Sequence, residues 1–525
     1  MGLLSIAGIA QTPRAQQQRT ADFPLFVTSD RCIACHSGLQ SAQGQDVSIG
    51  YQWRASMMAN SARDPYWQAG VRREVMDHPQ AQAAIEDKCA TCHMPMARTQ
   101  AVHGGDLGQV LAHFARPQGD TPLAFDGVSC ALCHQVTPQG MGTAASFDGG
   151  YHIDGTTAVD RVVYGPFEVD AGHRRIMQSS STFQPITSTH IQQSEFCASC
   201  HTLYTEPTDG GGEKFPEQMP YFEWLASDYR NTDSCQSCHM PLVEGPAPIT
   251  AVLGLPREPV RTHGFVGGNA YMIRMLDRYR GELGVKALSA ELQAGAQATE
   301  AFLRERTAQL SIAELADDGS LLILVVNVRN LSGHKLPTAY PSRRAWLHVT
   351  ARDQAGRVIF ESGAPRPDGS IEGNDNDADP LRFEPHYGEI GDPSQVQIYE
   401  SVMVDRSGQP TTGLLSAVRY AKDNRLLPRG LVKAQAHADI AVRGAAVDDA
   451  DFVGGGDRVR YRVARPAGAG RVTVTAELMF QSIGFRWARN LEGYDAAETN
   501  RFTRYFRETA GVSAVTLARA QFSAP

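Results

Sequence analysis

Three things are scarce in this chain of 525 residues, and each scarcity excludes a class of protein. No apolar run approaches the ~20 residues that a membrane-crossing helix needs. The longest, Leu321–Val326, makes less than two helical turns. Basic residues do not predominate: 49 Lys+Arg stand against 57 Asp+Glu, a formal charge of −8, so no nucleic-acid partner is expected. Cysteine is sparse at ten residues, too few for a disulfide-dense scaffold, and none lies beyond Cys238. Disorder is excluded too, because 42% of the chain is hydrophobic and 20 Phe and 16 Tyr supply surface to bury. At ~150 residues per domain, two to four domains are expected.

The few cysteines that are present carry the argument. They fall in five C-x-x-C pairs, each followed at once by histidine: CIACH, CATCH, CALCH, CASCH and CQSCH. This is the covalent attachment signature of c-type haem. Two thiols three residues apart on one helical turn form thioethers to both vinyl groups of a porphyrin, and the adjacent imidazole reaches the iron. Zinc sites use paired C-x-x-C units without requiring a histidine after each. A redox dithiol would occur once, near a βαβ pattern. Cys32, Cys35, Cys89, Cys92, Cys130, Cys133, Cys197, Cys200, Cys235 and Cys238 are therefore read as attachment points for five haem c groups. His36, His93, His134, His201 and His239 are their proximal iron ligands. Haem attachment of this kind is completed outside the cytoplasm, so a periplasmic or extracellular location follows.

The spacing organises the rest. Residues 1–20, with LLSIAGIA and a polar stretch after it, read as a signal-peptide remnant or a disordered tail. Residues 21–265 form a pentahaem domain of short helices and long loops. Residues 266–312 are helical: Asn269 caps a helix with Met272, Met275, Leu276, Tyr279 and Leu283 at helical spacing, and a second runs from about Leu288 to Leu310. Residues 313–525 are β-rich, with runs at 321–328, 345–351, 357–362 and 396–404, a hairpin whose alternating runs flank a Pro/Gly turn at 465–470, and another hairpin across DQAGR (353–357). A helix around Asn500–Glu508 closes the chain. The fold class is α+β, with a helical, loop-rich multihaem half, long helices in the middle and a C-terminal β-sandwich-like domain.

Five irons need up to five distal ligands. His190, seven residues before Cys197, His263, followed by glycines, and His334, on a Gly/Pro-bounded loop, lead the histidines; His173 follows them. His348 alternates within a strand and reads as structural. Met58 and Met177 are the sulfur candidates, since a His/Met pair raises a haem potential above that of bis-histidine. The acidic loop 372–380 places Asp375, Asp377 and Asp379 like positions 1, 3 and 5 of a calcium loop, but Pro380 and His386 stand where an EF-hand needs Gly and Glu. An EF-hand is excluded, and a calcium site of another kind is the remaining metal expectation.

The strings DGVSCALCHQ, SEFCASCHTLYT, CQSCHMP and HGFVGGN resemble the haem-binding half of multihaem cytochromes of the cytochrome c-554 and hydroxylamine-oxidoreductase-like superfamily. NLSGHKLPTAYPSRRAWLHV, EPHYGEIGDPSQVQIYE and YAKDNRLLPRG resemble the C-terminal β-domain of some bacterial members. In related cytochromes a W-x-x-S-x-H-A string supplies a distal histidine. Here Trp53, Ser56 and Ala59 match and Met58 stands at the histidine position, which implies methionine ligation or an open iron. The expectation is an electron-transfer protein working between redox partners, either as a homo-oligomer or within a larger redox complex. The alternative is an oxidoreductase acting on a small nitrogen or sulfur compound at a five-coordinate haem. No C-x-x-C-K marks a nitrite-reducing haem.

Overall fold

The computed structural model describes residues 24–155, 161–206 and 213–525. The expected leader at 1–20 lies outside them. Up to His239 the chain is a series of short helices separated by loops, and local chemistry sets their starts. Pro65, Pro95 and Pro220 each open a helix (Pro65–Asp77, Pro95–His103, Pro220–Leu225), where a missing N–H costs nothing. Asp64 caps the first of these by accepting from the amides of Tyr66 at 2.8 Å and Trp67 at 3.2 Å. Apolar residues here form several small clusters rather than one core, one around Val71, Ile85 and Phe125 and another around Phe26, Met96 and Leu132.

The helix Ala270–Arg278 buries Met272, Met275 and Leu276 as its spacing predicts, although the Asn269 side chain makes no capping bond. The next long helix, Ser289–Arg306, ends before Leu310 because Ala308 already pairs with Asn330 in a sheet.

Two sheets then share one large core. One has strand order Glu389–Ile390, Gly456–Ala464, Leu321–Asn330, Ala308–Asp317. The other has Val358–Ser362, Arg344–Arg352, Val472–Gln481, Ala514–Ala524, with Ile398–Tyr399 paired beside Arg344–Arg352. Alternation decides which side chains meet: Val459, Tyr461 and Val463 from one sheet and Val474, Ala476 and Leu478 from the other lie in the same cluster. The hairpin across 353–357 forms as read. Three details differ from the sequence reading. The turn at 465–470 joins strands of different sheets, because each flanking strand finds a better-matched apolar face elsewhere. The run 396–404 splits at Glu400 into two short strands. A strand, Ala514–Ala524, follows the last helix, its small alternating residues giving a weak apolar signal.

The last helix, Ala497–Thr509, packs on Pro65–Asp77, with Phe502 and Tyr66 ring centres 5.1 Å apart and Arg72 bonded to Glu498 at 2.8 Å. A buried ionic network makes a second tie between the halves. Asp423 accepts from Lys335 and Arg425, each at 2.7 Å, while Glu223 of the helix Pro220–Leu225 pairs with Arg425 at 3.0 Å. Among the described residues no helix is long and apolar enough to cross a membrane.

Candidate functional site

Each C-x-x-C-H string lies on or at the end of a helix: Asp30–Ile33, Gln82–His93, Cys130–Cys133, Ser194–His201 and Cys235–His239. One turn sorts the residue types by face. In the second, third and fourth strings the two residues between the cysteines are buried (Ala90 and Thr91, Ala131 and Leu132, Ala198 and Ser199), whereas all ten thiols stay partly accessible. The protein-facing side of the turn is thus used for packing and the other side presents sulfur and imidazole.

Backbone carbonyls orient the motif histidines. Nδ1 of His36 donates to Ile249 O at 2.6 Å, that of His93 to Ser61 O at 3.1 Å, that of His134 to Tyr164 O at 2.6 Å and that of His239 to Val266 O at 2.6 Å. A carbonyl only accepts, so the proton sits on Nδ1 and the Nε2 lone pair is left for a metal. This is the outer-shell bond that metal-bound histidines make. Burial pushes His93 and His239 down to about 4, so both rings are neutral. His201 has no hydrogen-bond partner among the described residues. Trp67 lies flat on His93, with ring centres 4.3 Å apart and planes 3° from parallel.

Shared anchors hold the strings side by side, in an order different from that of the chain. The Asp126 carboxylate accepts from the amide and hydroxyl of Ser29, both at 2.7 Å, and from the Ser129 hydroxyl at 2.6 Å. It thereby fixes the first and third strings together, with Cys32 and Cys130 in thiol–thiol contact. The turn Asp148–Gly149 joins the second and fourth. Its amides donate to Thr202 O at 2.9 Å and Ser199 O at 2.7 Å, it abuts Thr91, and Cys92 meets Cys200. Ser194 accepts from the Cys235 amide at 3.1 Å, and Gln236 bonds Ile191 O and Gln193 O, which sets Cys197 against Cys235. The fourth string therefore adjoins both the second and the fifth. Cys133 also lies near enough to perturb Cys197 and Cys200.

The distal candidates separate clearly. His334 stands opposite His239, with ring centres 6.1 Å apart and planes 8° from parallel. Its Nδ1 donates to Lys335 O at 2.8 Å, so neither ring has its Nε2 engaged. Two imidazoles on opposite sides of one ion, at metal–nitrogen distances of about 2 Å, have centres about 6 Å apart, and the pair fits an axial His/His set. His263 donates from Nδ1 to Arg261 O at 3.1 Å, is pushed down to about 4 by burial, and lies near His134 and His36. Met58 is half-buried and, unlike Met57, joins no apolar cluster; its carbonyl accepts from Val128 at 2.9 Å beside the third string. Met177 is half-buried on the helix Ala171–Ser181.

Two candidates have their ring nitrogens engaged elsewhere. His190 has both ring nitrogens occupied, by Ser188 Oγ at 2.7 Å and Val136 O at 2.8 Å, and serves as a buried tie. His173 is likewise used up, by Asp170 at 2.5 Å and Leu253 O at 3.2 Å on the outer side of its helix. His348 pairs with Glu361 at 2.9 Å, as a structural residue should.

In the acidic loop 372–380 the carboxylates expected to hold calcium are engaged in hydrogen bonds. Arg344 takes both oxygens of Asp377, at 2.7 and 3.0 Å, Arg382 takes Asp375, and Asp379 accepts from the Leu381 amide. A different trio, His386, Asp449 and Asp457, has the spacing of a metal site. Its amide neighbours decide against one. Gln397 and Asn424 donate to His386 Nδ1 at 2.8 and 3.1 Å, and their own oxygens accept from the Tyr387 and Glu400 amides, so neither can flip. Nδ1 is thus the acceptor, and the proton sits on Nε2, facing Asp449 at 3.1 Å.

The carbonyl anchors, Asp126 and Asp148–Gly149 had no motif to reveal them.

The chain matches no protein-family model, and no curated protein matches it. Among solved structures it is similar to a penta-heme cytochrome c552 from Thermochromatium tepidum. The two are 18% identical with a TM-score of 0.54, and the match covers 96% of this chain and 100% of that one. At that identity the likeness is one of fold.

Proposed function

We propose that this chain is a pentahaem c-type cytochrome of the periplasm or cell exterior, which passes electrons between redox partners. The observation that carries this reading is the facing pair His239 and His334, both neutral by burial and both held by Nδ1 so that Nε2 is free. Bound haem iron would supply reversible one-electron exchange. The polypeptide contributes ligands and spacing. Cysteines of neighbouring strings meet in pairs, and Asp126, Gly149 and Ser194 fix those pairs. The β-rich half lends His334 to the fifth string, so residues 313–525 complete a site that 21–265 begin. The shared fold with a penta-heme cytochrome supports the same reading.

Haem counting with EPR tests it. Pyridine haemochrome analysis should return five haems per chain, and His334→Ala should turn one low-spin iron high-spin. No change of spin state would remove His334 as a ligand. A native high-spin iron that binds cyanide, nitrite or hydroxylamine would favour the oxidoreductase alternative; five inert low-spin irons would eliminate it.

A further inference from the structure

Arg343 is a half-buried cation without an anion. Its neighbour Arg344 is held by both oxygens of Asp377, and Arg425 by Asp423 and Glu223. Arg343 has no carboxylate partner among the described residues: Nη1 donates to Thr338 O at 3.0 Å, and Nη2 lies 3.5 Å from Asn269 Oδ1. Burial lowers its pKa to about 10, as happens to a cation taken from water without a counter-charge. Isolated buried charges are costly, so a guanidinium in this position calls for an anion. Its surroundings indicate which one. Thr338 and Asn269 follow closely on His334 and on Val266, whose carbonyl holds His239, and the charge of Arg343 bears on His201 and His239, the imidazoles of the fourth and fifth strings, and on His334.

We propose that Arg343 is the receptor for a propionate carboxylate of the haem carried by the fourth or fifth string, and that its fixed charge raises the potential of that haem. The proposal rests on the pentahaem reading above. Haem is the anionic group that those strings would bring to this spot, and the planar guanidinium matches a carboxylate in two parallel hydrogen bonds. A positive charge held near an iron favours the reduced state, which carries one charge fewer. His201 adds to the effect: without an Nδ1 acceptor it is a less basic ligand than the other four motif histidines. The haem that Arg343 holds, on the fourth or the fifth string, then sits above the potential that its axial ligands alone would set.

Four forms of the holoprotein test this: wild type, Arg343→Gln, Arg343→Lys and Asn269→Asp. The aspartate places a carboxylate of the chain against Arg343 and neutralises it without removing it. Haem counting comes first, and a wild-type count below five faults the pentahaem reading rather than this one. Spectropotentiometric titration follows. One or two of the five midpoint potentials should fall in Arg343→Gln, the same ones should fall in Asn269→Asp, and the others should hold. Arg343→Lys, which keeps the charge and loses the fork, should recover part of the shift. Unchanged potentials in a five-haem Arg343→Gln protein overturn the proposal. If that variant fails to mature, unchanged potentials in Asn269→Asp overturn it.

Discussion

The two halves of the molecule solve the problem of burial in opposite ways. From residue 308 onward two sheets close on one continuous core, which strand alternation lines on both sides and loop residues such as Leu427, Leu431 and Phe452 complete. Up to residue 239 the apolar clusters are small and separate, the cysteines stay partly accessible, and much of the order comes from long-range polar bonds such as those of Asp126 and Ser194. A core of aliphatic side chains is self-sufficient. A set of anchored turns presenting sulfur and imidazole is organised for groups that chemistry adds later. The first half should depend on haem attachment and the second should not.

Preventing attachment is the strongest way to break that comparison. In full-length chain made without haem maturation, hydrogen exchange should be fast throughout the five C-x-x-C-H turns. The strands Leu321–Asn330 and Val472–Gln481 should remain protected, by at least several orders of magnitude over the turns. Equal protection in both halves would show that the first half needs no haem to fold. Equal loss would show that the sheets depend on it.

How much was legible follows the same division. The candidate attachment residues could be read directly because the chemistry of haem c would fix their spacing, and the strands because alternation fixes their faces. What was not legible shares a physical origin. His190 and His173 have the right residue type at a plausible place, but whether a ring nitrogen is free depends on which carbonyl, hydroxyl or carboxylate the fold brings to it. Ile249, Ser61, Tyr164 and Val266 orient four motif histidines through main-chain oxygens, which every residue type possesses and no motif can mark. The turn at 465–470 was misassigned because adjacency in sequence favours a hairpin, whereas the paired faces lie in different sheets.

A smaller effect is expected at the ionic seam between the halves. Burial alone would raise the pKa of Asp423, but Arg425 and Lys335 outweigh it and hold the carboxyl down to about 2. A carboxyl depressed on folding adds stability above its unfolded value near 4 and loses it as pH falls from there toward 2. That contribution is of order 2–3 kcal/mol. Asp423→Asn leaves Lys335 and Arg425 buried without their partner and should cost about 3–5 kcal/mol at neutral pH. Urea titrations at pH 7 and pH 3 check both statements: the wild type should lose stability between them, and the variant should lose less. An equal acid loss in the variant would mean that other carboxylates govern the seam.

The smallest change bears on the contact between the second and fourth strings. Gly149 has φ +78°, and a Cβ there would stand 2.1 Å from Thr91 Cγ2 and 3.6 Å from Cys92 Sγ. Backbone conformation and close approach both call for glycine. Gly149→Ala should therefore cost about 1–3 kcal/mol through strain and overpacking. The direction of the displacement matters more than its size. Thr91 and Cys92 are on the second string, while the Gly149 amide is tied to Ser199 on the fourth. Relief of the clash must separate those two strings and leaves the Asp126 tie between the first and third untouched. In the five-haem protein, spectral changes should appear in the second and fourth haems and be absent from the first and third. A change spread evenly over all five would mean that the strings form one rigid block rather than separately anchored pairs.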